Sequence, residues 1–431
     1  MSNELSMELE VFDNDIKTQD YSATFAGNMS LPIHKWYRYT AGFSAEWVKE
    51  LIINQKKLGR SRIIDPFAGS GTVLLESEFE GVDSMGVEAQ PYIYKIAKTK
   101  LEWTYPATKF RSEALAFLEI AKSLKICKTE YPKLIVSCFP PETLQRLEAL
   151  KQVWLTSKSN DIIKDFTWFI ITSILRSTSP VGTAQWQYIQ PNKSKAKVVD
   201  PFLAFEKKVN DLYADMLFLQ SRKDDVVPSK IFLEDARNIV SIPDGWGDLV
   251  ITSPPYANNY DYADATRLEM TFWGDISGWA DLQEGVRKNL IRACTQHVSK
   301  LGPSIDEILL EKKLSTIHTE LVEVYQKLKE ERLLHGGKKN YHLMIVAYFN
   351  DLADVFISLR RVTKPGCLMC FVIGDSAPYG IYVPVDRWLG ELAIAAGFKS
   401  YSFEKLRDRN TKWKNRKHTV PLHEGRLWIQ G

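Results

Sequence analysis

The segment from Arg62 to Glu88 limits most strongly how this chain can fold. The apolar residues Ile63 and Ile64 lead into the octapeptide DPFAGSGT, which is followed by the apolar runs VLLESEF and SMGVEA. This order predicts a strand, a glycine loop, a helix and a second strand. Because parallel strands need a helical crossover between them, the pattern predicts the start of an open parallel α/β sheet.

The loop DPFAGSGT has the features of a ligand site. Gly69 and Gly71 let the backbone approach a ligand closely, and the next helix offers unpaired N–H groups at its N-terminus. The loop lacks both the Gly-Lys-Ser/Thr of a phosphate loop and the third glycine of the dinucleotide fingerprint. Glu88 ends the next strand, where a carboxylate can bind both ribose hydroxyls. These features indicate an adenosine-type ligand with a carboxylate or amine end; a structural glycine turn is the alternative.

The second distinctive segment is ITSPPYANNYDY, at the end of the predicted strand DLVIT. Two adjacent prolines remove two backbone donors and fix two φ angles, so they hold a loop rigid at the strand end. A hydroxyl group precedes these prolines and an aromatic ring follows them. A second double proline, in Phe139-Pro140-Pro141-Glu142, lacks both flanking groups and is interpreted as a turn before a helix.

The composition indicates in which cellular compartment the protein works and which partners it can bind. Five scattered cysteines in 431 residues do not form a disulfide framework and are typical of a reducing cytoplasm. Cys367 and Cys370 lie in the apolar run CLMCFVI without a second pair, so we expect buried strand residues and no metal site. The net charge of +3 permits nucleic acid as a partner. The acidic start MSNELSMELEVFDND does not resemble a signal peptide, and we expect a cytoplasmic protein without a membrane partner.

The chain resembles the amino-group DNA methyltransferases that use S-adenosylmethionine, and within them the Ser-Pro-Pro-Tyr enzymes, which usually act on N4 of cytosine. The resemblance depends on LPIHKWYRYTAGFSAEWVKELI, RIIDPFAGSGTVLLES, GVEAQPY, and IFLEDARNI followed by DLVITSPPY, in this order. It implies a class I methyltransferase fold: a Rossmann-like α/β fold whose mostly parallel sheet ends in a β-hairpin, here with helical insertions. Pro-Cys, which cytosine-C5 enzymes carry, is absent.

The resemblance also implies roles for single residues. The glycine loop would hold the methionine portion of the cofactor, Glu88 the ribose, and Asp235 the adenine amino group. His34 and Tyr37 would border the methionine site, although a lone histidine is more often structural. The expected cofactor-binding residues are Asp65, Pro66, Phe67, Gly69, Ser70, Gly71, Thr72, Glu88, Asp235, Ala236, His34 and Tyr37.

The chemistry of an exocyclic amine explains the tetrad. The lone pair of such a nitrogen is delocalised into the ring, so the enzyme has to accept hydrogen bonds from its protons and turn the lone pair toward the methyl group. The side chain of Ser253 and the carbonyl of Pro254, held by Pro255, are the expected acceptors. Tyr256 would stack on the base after it is flipped out of the duplex.

Two basic clusters are candidates for DNA contacts. Between residues 106 and 228 the sequence is rich in helical patterns, with a polar link, QPNKSKAK, near Trp186 and Tyr188. We expect this region to recognise the target sequence, with a packing or dimerising bundle as the alternative. For the second cluster, near the C-terminal hairpin, a solvated loop is the alternative. The DNA-binding candidates are Lys193, Lys195, Lys197, Arg407, Arg409, Lys412 and Lys414.

The predicted organisation is one catalytic domain with two insertions. The catalytic domain comprises residues 1–105, 229–274 and 340–431, and the insertions are 106–228 and 275–339. The second insertion contains ILLEKKLSTIHTELVEVYQKLKEERLL, which predicts one long amphipathic helix. Asp375 follows the strand CLMCFVIG and is expected either to shape the base site or to cap a helix.

The predicted function is site-specific methylation of N4 of cytosine in double-stranded DNA, with S-adenosylmethionine as the cofactor. Such an enzyme would form the modification part of a restriction or phage-defence system, with a cognate restriction endonuclease as partner. Adenine-N6 methylation of DNA and guanine-N2 methylation of RNA stay open, since Ser253 alone separates them from the cytosine reaction. A catalytically idle DNA-binding or cofactor-binding module is the alternative from another class.

Overall fold

The computed structural model describes residues 25–39, 42–127, 130–183, 188–195, 197–222, 225–258, 260–298, 304–337, 339–409 and 420–431. Its strands are β1 (Arg62–Asp65), β2 (Asp83–Glu88), β3 (Val181–Thr183), β4 (Ile189–Ser194), β5 (Lys230–Leu233), β6 (Gly247–Thr252), β7 (Thr363–Gly374), β8 (Ser400–Arg409) and β9 (Leu422–Gln430).

One seven-stranded sheet organises the protein, in the order β5-β2-β1-β6-β7-β9-β8. The first five strands in this order pair in parallel, and β9 is antiparallel to both β7 and β8. The chain runs outward from β1 to β2 and β5 and then returns to β6 on the other side of β1. This reversal opens a crevice at the carboxyl ends of the strands. The predicted class I methyltransferase fold is confirmed.

The helices cover both faces of the sheet. They are α1 (Ala45–Lys57), α2 (Thr72–Phe79), α3 (Pro91–Leu101), α4 (Ala107–Ser123), α5 (Lys133–Cys138), α6 (Pro141–Thr156), α7 (Asp161–Thr178), α8 (Pro201–Gln220), α9 (Arg267–Trp273), α10 (Trp279–Gly285), α11 (Ile305–Leu309), α12 (His318–Leu334), α13 (Tyr341–Val362) and α14 (Val385–Ala395). Helix α1 begins after Ser44, whose hydroxyl oxygen caps it by accepting a hydrogen bond from Trp47 N.

The helices between residues 106 and 228 share their hydrophobic core with the sheet-covering helix α3. Phe110 of α4, Phe166 of α7 and Phe205 of α8 are fully buried in one cluster with Tyr92 and Ile96 of α3. The insertion therefore packs directly against the helical layer of the sheet.

Helix α13 packs on the other face of the sheet. Among the described residues it is the one helix with the length and apolar composition to cross a membrane, yet 83% of its most apolar window is buried inside the protein. Tyr348 and Phe356 of α13 join Phe371 of β7 in a second buried cluster. Such burial is typical of the core helix of a globular domain.

Two predicted elements are wrong in the structure. The polar link QPNKSKAK is in part a strand, because β4 pairs with β3 as an antiparallel hairpin. The predicted long helix of the second insertion is divided into α11, a 3₁₀ turn at Lys312–Leu314, and α12. Ile308 and Ile317 are nine residues apart and would lie on opposite sides of one straight helix. The break lets both side chains enter the same core.

Candidate active site

One pocket lies at the carboxyl ends of the parallel strands β1, β2, β5 and β6. It encloses about 860 Å³ of space, including the solvent at its mouth. Of the residues predicted to bind the cofactor or to act in catalysis, those that line it are Asp65, Pro66, Phe67, Gly69, Ser70, Thr72, Glu88, Asp235, Ala236, Ser253 and Pro255.

The glycine loop adopts a conformation that needs its glycines. Gly69 and Gly71 have φ angles of 52° and 83°, in the left-handed region that side chains with a Cβ rarely adopt. A Cβ on Gly69 would lie 3.1 Å from Cε1 of Tyr39. Behind the loop, the fully buried amine of Lys100 donates to the carbonyl of Ser70 at 2.7 Å. The loop backbone is therefore fixed before any ligand binds.

Two carboxyl groups give the pocket its electrostatic character. Burial raises the pKa of Asp65 to about 7, although hydrogen bonds from Thr252 and Phe67 act in the opposite direction. Burial likewise raises the pKa of Glu88 to about 7, against hydrogen bonds from the backbone N–H groups of Gln90 and Gly69. Two buried acids that resist ionisation favour a ligand that brings positive charge.

The same groups fit the parts of S-adenosylmethionine. Its ammonium and sulfonium charges would offset the carboxylates, and Glu88 keeps lone pairs for ribose hydroxyls beside its bonds to Gly69 N and Gln90 N, both 2.9 Å. Among the described residues, Ser70 has a buried hydroxyl oxygen without a hydrogen-bond partner. An unsatisfied buried polar atom at the pocket wall indicates a missing ligand group.

Asp235 reaches the pocket but is already engaged. Its carboxylate accepts hydrogen bonds from the guanidinium and the backbone N–H of Arg237, the latter at 2.9 Å. Arg237 also pairs with the buried Asp351 at 3.2 Å. Arg237 therefore fixes the direction of the Asp235 carboxylate.

His34 and Tyr37 correct the expectation from sequence. Neither is among the pocket-lining residues, and both are buried. His34 pairs with Glu76 at 2.7 Å, and burial lowers the pKa of its ring. The hydroxyl of Tyr37 lies 3.0 Å from that of Tyr92. Glu76 and Tyr92 thus engage these two side chains inside the core, and Tyr39, two residues further on from Tyr37, lines the pocket instead.

The tetrad directly follows β6, the strand that pairs with β1, after which the glycine loop begins. Thr252, the last residue of β6, donates to Asp65 Oδ1 at 2.6 Å and so ties the two strand ends together. The Ser253 hydroxyl donates to the carbonyl of Val372 at 3.1 Å. Because its proton is used there, the oxygen lone pairs of Ser253 stay available as acceptors at the pocket. Pro254 and Tyr256 follow outside the pocket lining, next to the end of β7.

A contact missed at the sequence level braces the loop after the tetrad. Asp261 N donates to the hydroxyl of Tyr188, which immediately precedes β4, at 2.8 Å. The Asp261 carboxylate pairs with Arg287 and lies 3.4 Å from His297 Nε2. Asp261, His297 and Cys294 form a buried group with metal-ligand atoms, but the Arg287 guanidinium already neutralises the carboxylate. We interpret this group as an ion-pair brace.

The predicted DNA-binding residues differ in exposure. Lys193 and Lys197 are exposed, whereas the amine of Lys195 donates to the carbonyl of Arg176. Arg407 pairs with Glu424 at 3.0 Å. Arg409 does not point away from the protein but lies over the ring of Tyr256. Lys412, Lys414 and Trp186 lie outside the described residues.

Asp375 caps no described helix, and it lies beside the tetrad. It is buried at the end of β7, where it accepts a hydrogen bond from His423 N at 2.8 Å and lies 2.9 Å from His423 Nδ1. It is not among the pocket-lining residues. Its backbone carbonyl accepts a hydrogen bond from Arg409 at 2.9 Å. Asp375 thus anchors the loop beside the tetrad.

The sequence did not single out the remaining pocket residues. They come from the segment before α1, the glycine loop, the start of α3 with the two residues before it, the loop after the tetrad and the second insertion, and they are Tyr39, Gly42, Phe43, Ala68, Ala89, Gln90, Ile93, Tyr262, Asn289, Leu290 and Ile291. The second insertion therefore closes one side of the pocket.

The chain is similar to curated bacterial methyltransferases along most of its length. It is 27% identical over 406 residues to the Type II methyltransferase M.AvaI of Nostoc sp., covering 87% of this chain and 81% of the relative. It is 26% identical over 426 residues to M.BsoBI of Geobacillus stearothermophilus, covering 90% and 82%. It is 22% identical over 393 residues to M.MvaI of Kocuria varians, covering 86% and 82%. No family model matches the chain. The similarity supports a methyltransferase function.

Proposed function

We propose that this protein is a DNA methyltransferase of a restriction-modification system, which transfers a methyl group from S-adenosylmethionine to N4 of cytosine in double-stranded DNA. The observation that carries the proposal is the meeting of Ser253 with Asp65, Gly69 and Glu88 in one pocket. An acceptor for an exocyclic amine thus lies beside a site suited to a cationic adenosine ligand. The three Type II methyltransferases support this function.

In this proposal the pocket residues hold the parts of the cofactor separately. Asp65 accepts hydrogen bonds from the ammonium group, Glu88 accepts them from the ribose hydroxyls, and Asp235 from the adenine amino group. The N–H groups at the start of α2 face the carboxylate of the ligand. The bound cofactor supplies an electrophilic methyl group on a sulfonium sulfur.

The tetrad residues prepare the target nitrogen. Ser253 Oγ and the carbonyl of Pro254 accept hydrogen bonds from the two amine protons, which draws the nitrogen lone pair out of conjugation. Tyr256 stacks on the extruded base. With the amine held in this way, its lone pair would face the methyl group that a bound cofactor supplies, with the sulfur as the leaving group. The methylated nitrogen would carry a positive charge and lose a proton to water, so no strong general base is required.

We assign sequence recognition to the insertion at 106–228, within the domain boundaries predicted from sequence. Its hairpin β3–β4 carries the exposed Lys193 and, through Tyr188, contacts the loop that follows the tetrad. If the hairpin binds the target sequence, the same hairpin also positions Asp261 in the loop after the tetrad. A cognate restriction endonuclease and a cytoplasmic location belong to the same proposal.

The deciding experiment identifies the modified nucleoside. Unmethylated phage λ DNA is incubated with the protein and S-adenosylmethionine, digested to nucleosides and analysed by mass spectrometry. We expect N4-methylcytosine. N6-methyladenine would refute the cytosine assignment, and absence of any modified base would refute the DNA methyltransferase.

A matched pair of variants links the product to Ser253. Removal of a hydrogen-bond acceptor that acts in the transition state costs about 10²–10³ in rate, so we expect Ser253→Ala to lower the single-turnover rate by that factor. Ser173→Ala is the control, since this half-buried hydroxyl also donates to a backbone carbonyl, that of Ile170 at 2.9 Å, but lies outside the pocket. Equal rates for both variants would exclude Ser253 from the chemistry.

A further inference from the structure

Arg409, the last residue of β8, is held across the ring of Tyr256. Its Cζ atom lies 5.2 Å from the ring centroid. Nη1 donates to the carbonyl of Asp375 at 2.9 Å, and Nε lies 3.8 Å from Oε2 of the buried Glu424. The side chain is only 17% exposed. A cation over an aromatic face, fixed by two further acceptors, has a defined position.

Gly374, the last residue of β7, makes this arrangement possible. A Cβ at this position would lie 2.4 Å from Arg409 Nη1 and 3.2 Å from Tyr256 Cε2. The missing side chain therefore leaves the space in which the guanidinium and the ring meet. An alanine there would move the flexible end of Arg409 while keeping its charge.

We infer that Arg409 occupies the place of the target base on Tyr256 in the DNA-free protein and that the incoming base must displace it. This inference rests on the proposed function. A planar base needs roughly 3.5 Å to each stacking neighbour, so insertion between ring and guanidinium requires roughly 7 Å, more than the 5.2 Å observed. Arg409 is thus a positioning residue that controls base entry and stays paired with Glu424, rather than the phosphate contact expected from sequence.

Arg409→Met tests the inference, because methionine keeps much of the apolar stem and removes the charge and the donors. Arg407→Met is the matched control: Arg407 also pairs with Glu424, at 3.0 Å, but is 44% exposed. In the DNA-free protein, nitration of Tyr256 by tetranitromethane, followed by peptide mass spectrometry, should be several-fold faster in Arg409→Met and unchanged in Arg407→Met. Gly374→Ala should also increase the rate of Tyr256 nitration.

Methylation kinetics give a second and independent readout. With phage λ DNA we expect Arg409→Met to raise kcat/KM up to about tenfold, equivalent to about 1.4 kcal/mol, with an unchanged dependence of DNA affinity on salt. A lower kcat/KM together with a salt slope reduced by about 1 would identify a phosphate contact and overturn the inference.

The failures of the two proposals are distinguishable. If the parent protein methylates DNA but Tyr256 nitration is the same in all variants, the base-entry inference is overturned and the proposed function stands. If the parent methylates no DNA, the proposed function fails and the base-entry role fails with it, while faster nitration would still show that Arg409 covers the ring.

Discussion

Replacing Asp65 with asparagine removes a buried negative charge from the pocket but keeps an oxygen for both of its hydrogen bonds, from Thr252 Oγ1 at 2.6 Å and Phe67 N at 3.0 Å. Burial raises the pKa of Asp65 from 3.8 to about 7 in the folded protein. A shift of about 3 units corresponds to about 4 kcal/mol at 1.36 kcal/mol per unit. The substitution therefore isolates the electrostatic cost of the charge.

The sign of the effect follows from linkage. An acid whose pKa is raised on folding binds its proton more tightly in the folded state. Its contribution to the free energy of unfolding is therefore fully present below pH 4, where the carboxyl group is protonated in both states, and is lost as the pH rises to about 7. In the absence of ligand, Asp65→Asn should be more stable than the parent at pH 8, by up to about 4 kcal/mol, and the difference should shrink toward pH 5. Urea unfolding followed by tryptophan fluorescence at several pH values measures it.

Ligand binding should change in the opposite direction. An ammonium group needs the ionised carboxylate, so titration calorimetry should show proton uptake by the buffer when S-adenosylmethionine binds to the parent protein at pH 6.5. Asp65→Asn should bind the cofactor at least about 10²-fold more weakly, as expected for loss of a buried charge pair. A pH-independent stability difference, or binding without proton release, would refute the reasoning.

Three further predictions concern the loops around the pocket and the insertion. Gly69→Ala should lower the free energy of unfolding by about 1–2 kcal/mol and weaken cofactor binding, because φ is 52° and the new Cβ would lie 3.1 Å from Tyr39 Cε1. Thermal unfolding and cofactor titration measure the two effects; a variant that matches the parent protein in both would contradict the argument from the strained turn. Tyr188→Phe removes the acceptor of Asp261 N and should destabilise the loop after the tetrad by about 1 kcal/mol. We expect kcat to fall while cofactor affinity stays unchanged; an unchanged kcat would show that the hairpin does not influence catalysis. The double variant Lys193→Glu and Lys197→Glu should weaken DNA binding and reduce its salt slope by about 2; an unchanged slope would remove this surface from the DNA interface.

The parts of the fold and site with local signals were predictable from sequence. Each of the groups at Asp65, Glu88, Asp235 and Ser253 stands at or just after the end of a short apolar strand, and the crossover rule for parallel strands brings such ends to one edge. The glycine turn was predictable for the same reason, since positive φ angles leave a direct trace in residue type.

The parts that depend on distant packing were not predictable. Tyr188 and Asp261 meet although they are 73 residues apart, and nothing in either local sequence indicates the contact. The pocket wall at Asn289, Leu290 and Ile291 belongs to an insertion whose path is fixed only by the core it packs on. Arg409 has the composition of a surface cation, and only the structure shows that Asp375 and Glu424 hold it over Tyr256.

The shared core between the insertion and α3 determines which part of the protein can be transplanted. Exchanging the whole of residues 106–228 between related enzymes would cut through a packed interior that includes Tyr92 and Ile96 of α3. Among the residues of hairpin β3–β4 whose side chains the structure describes, Val181 and Ile189 belong to that interior. If this hairpin recognises DNA as proposed, exchanging the hairpin alone should transfer sequence specificity between related enzymes. Differences in the recognised sequence among relatives should then map to the hairpin and not to the helices around it.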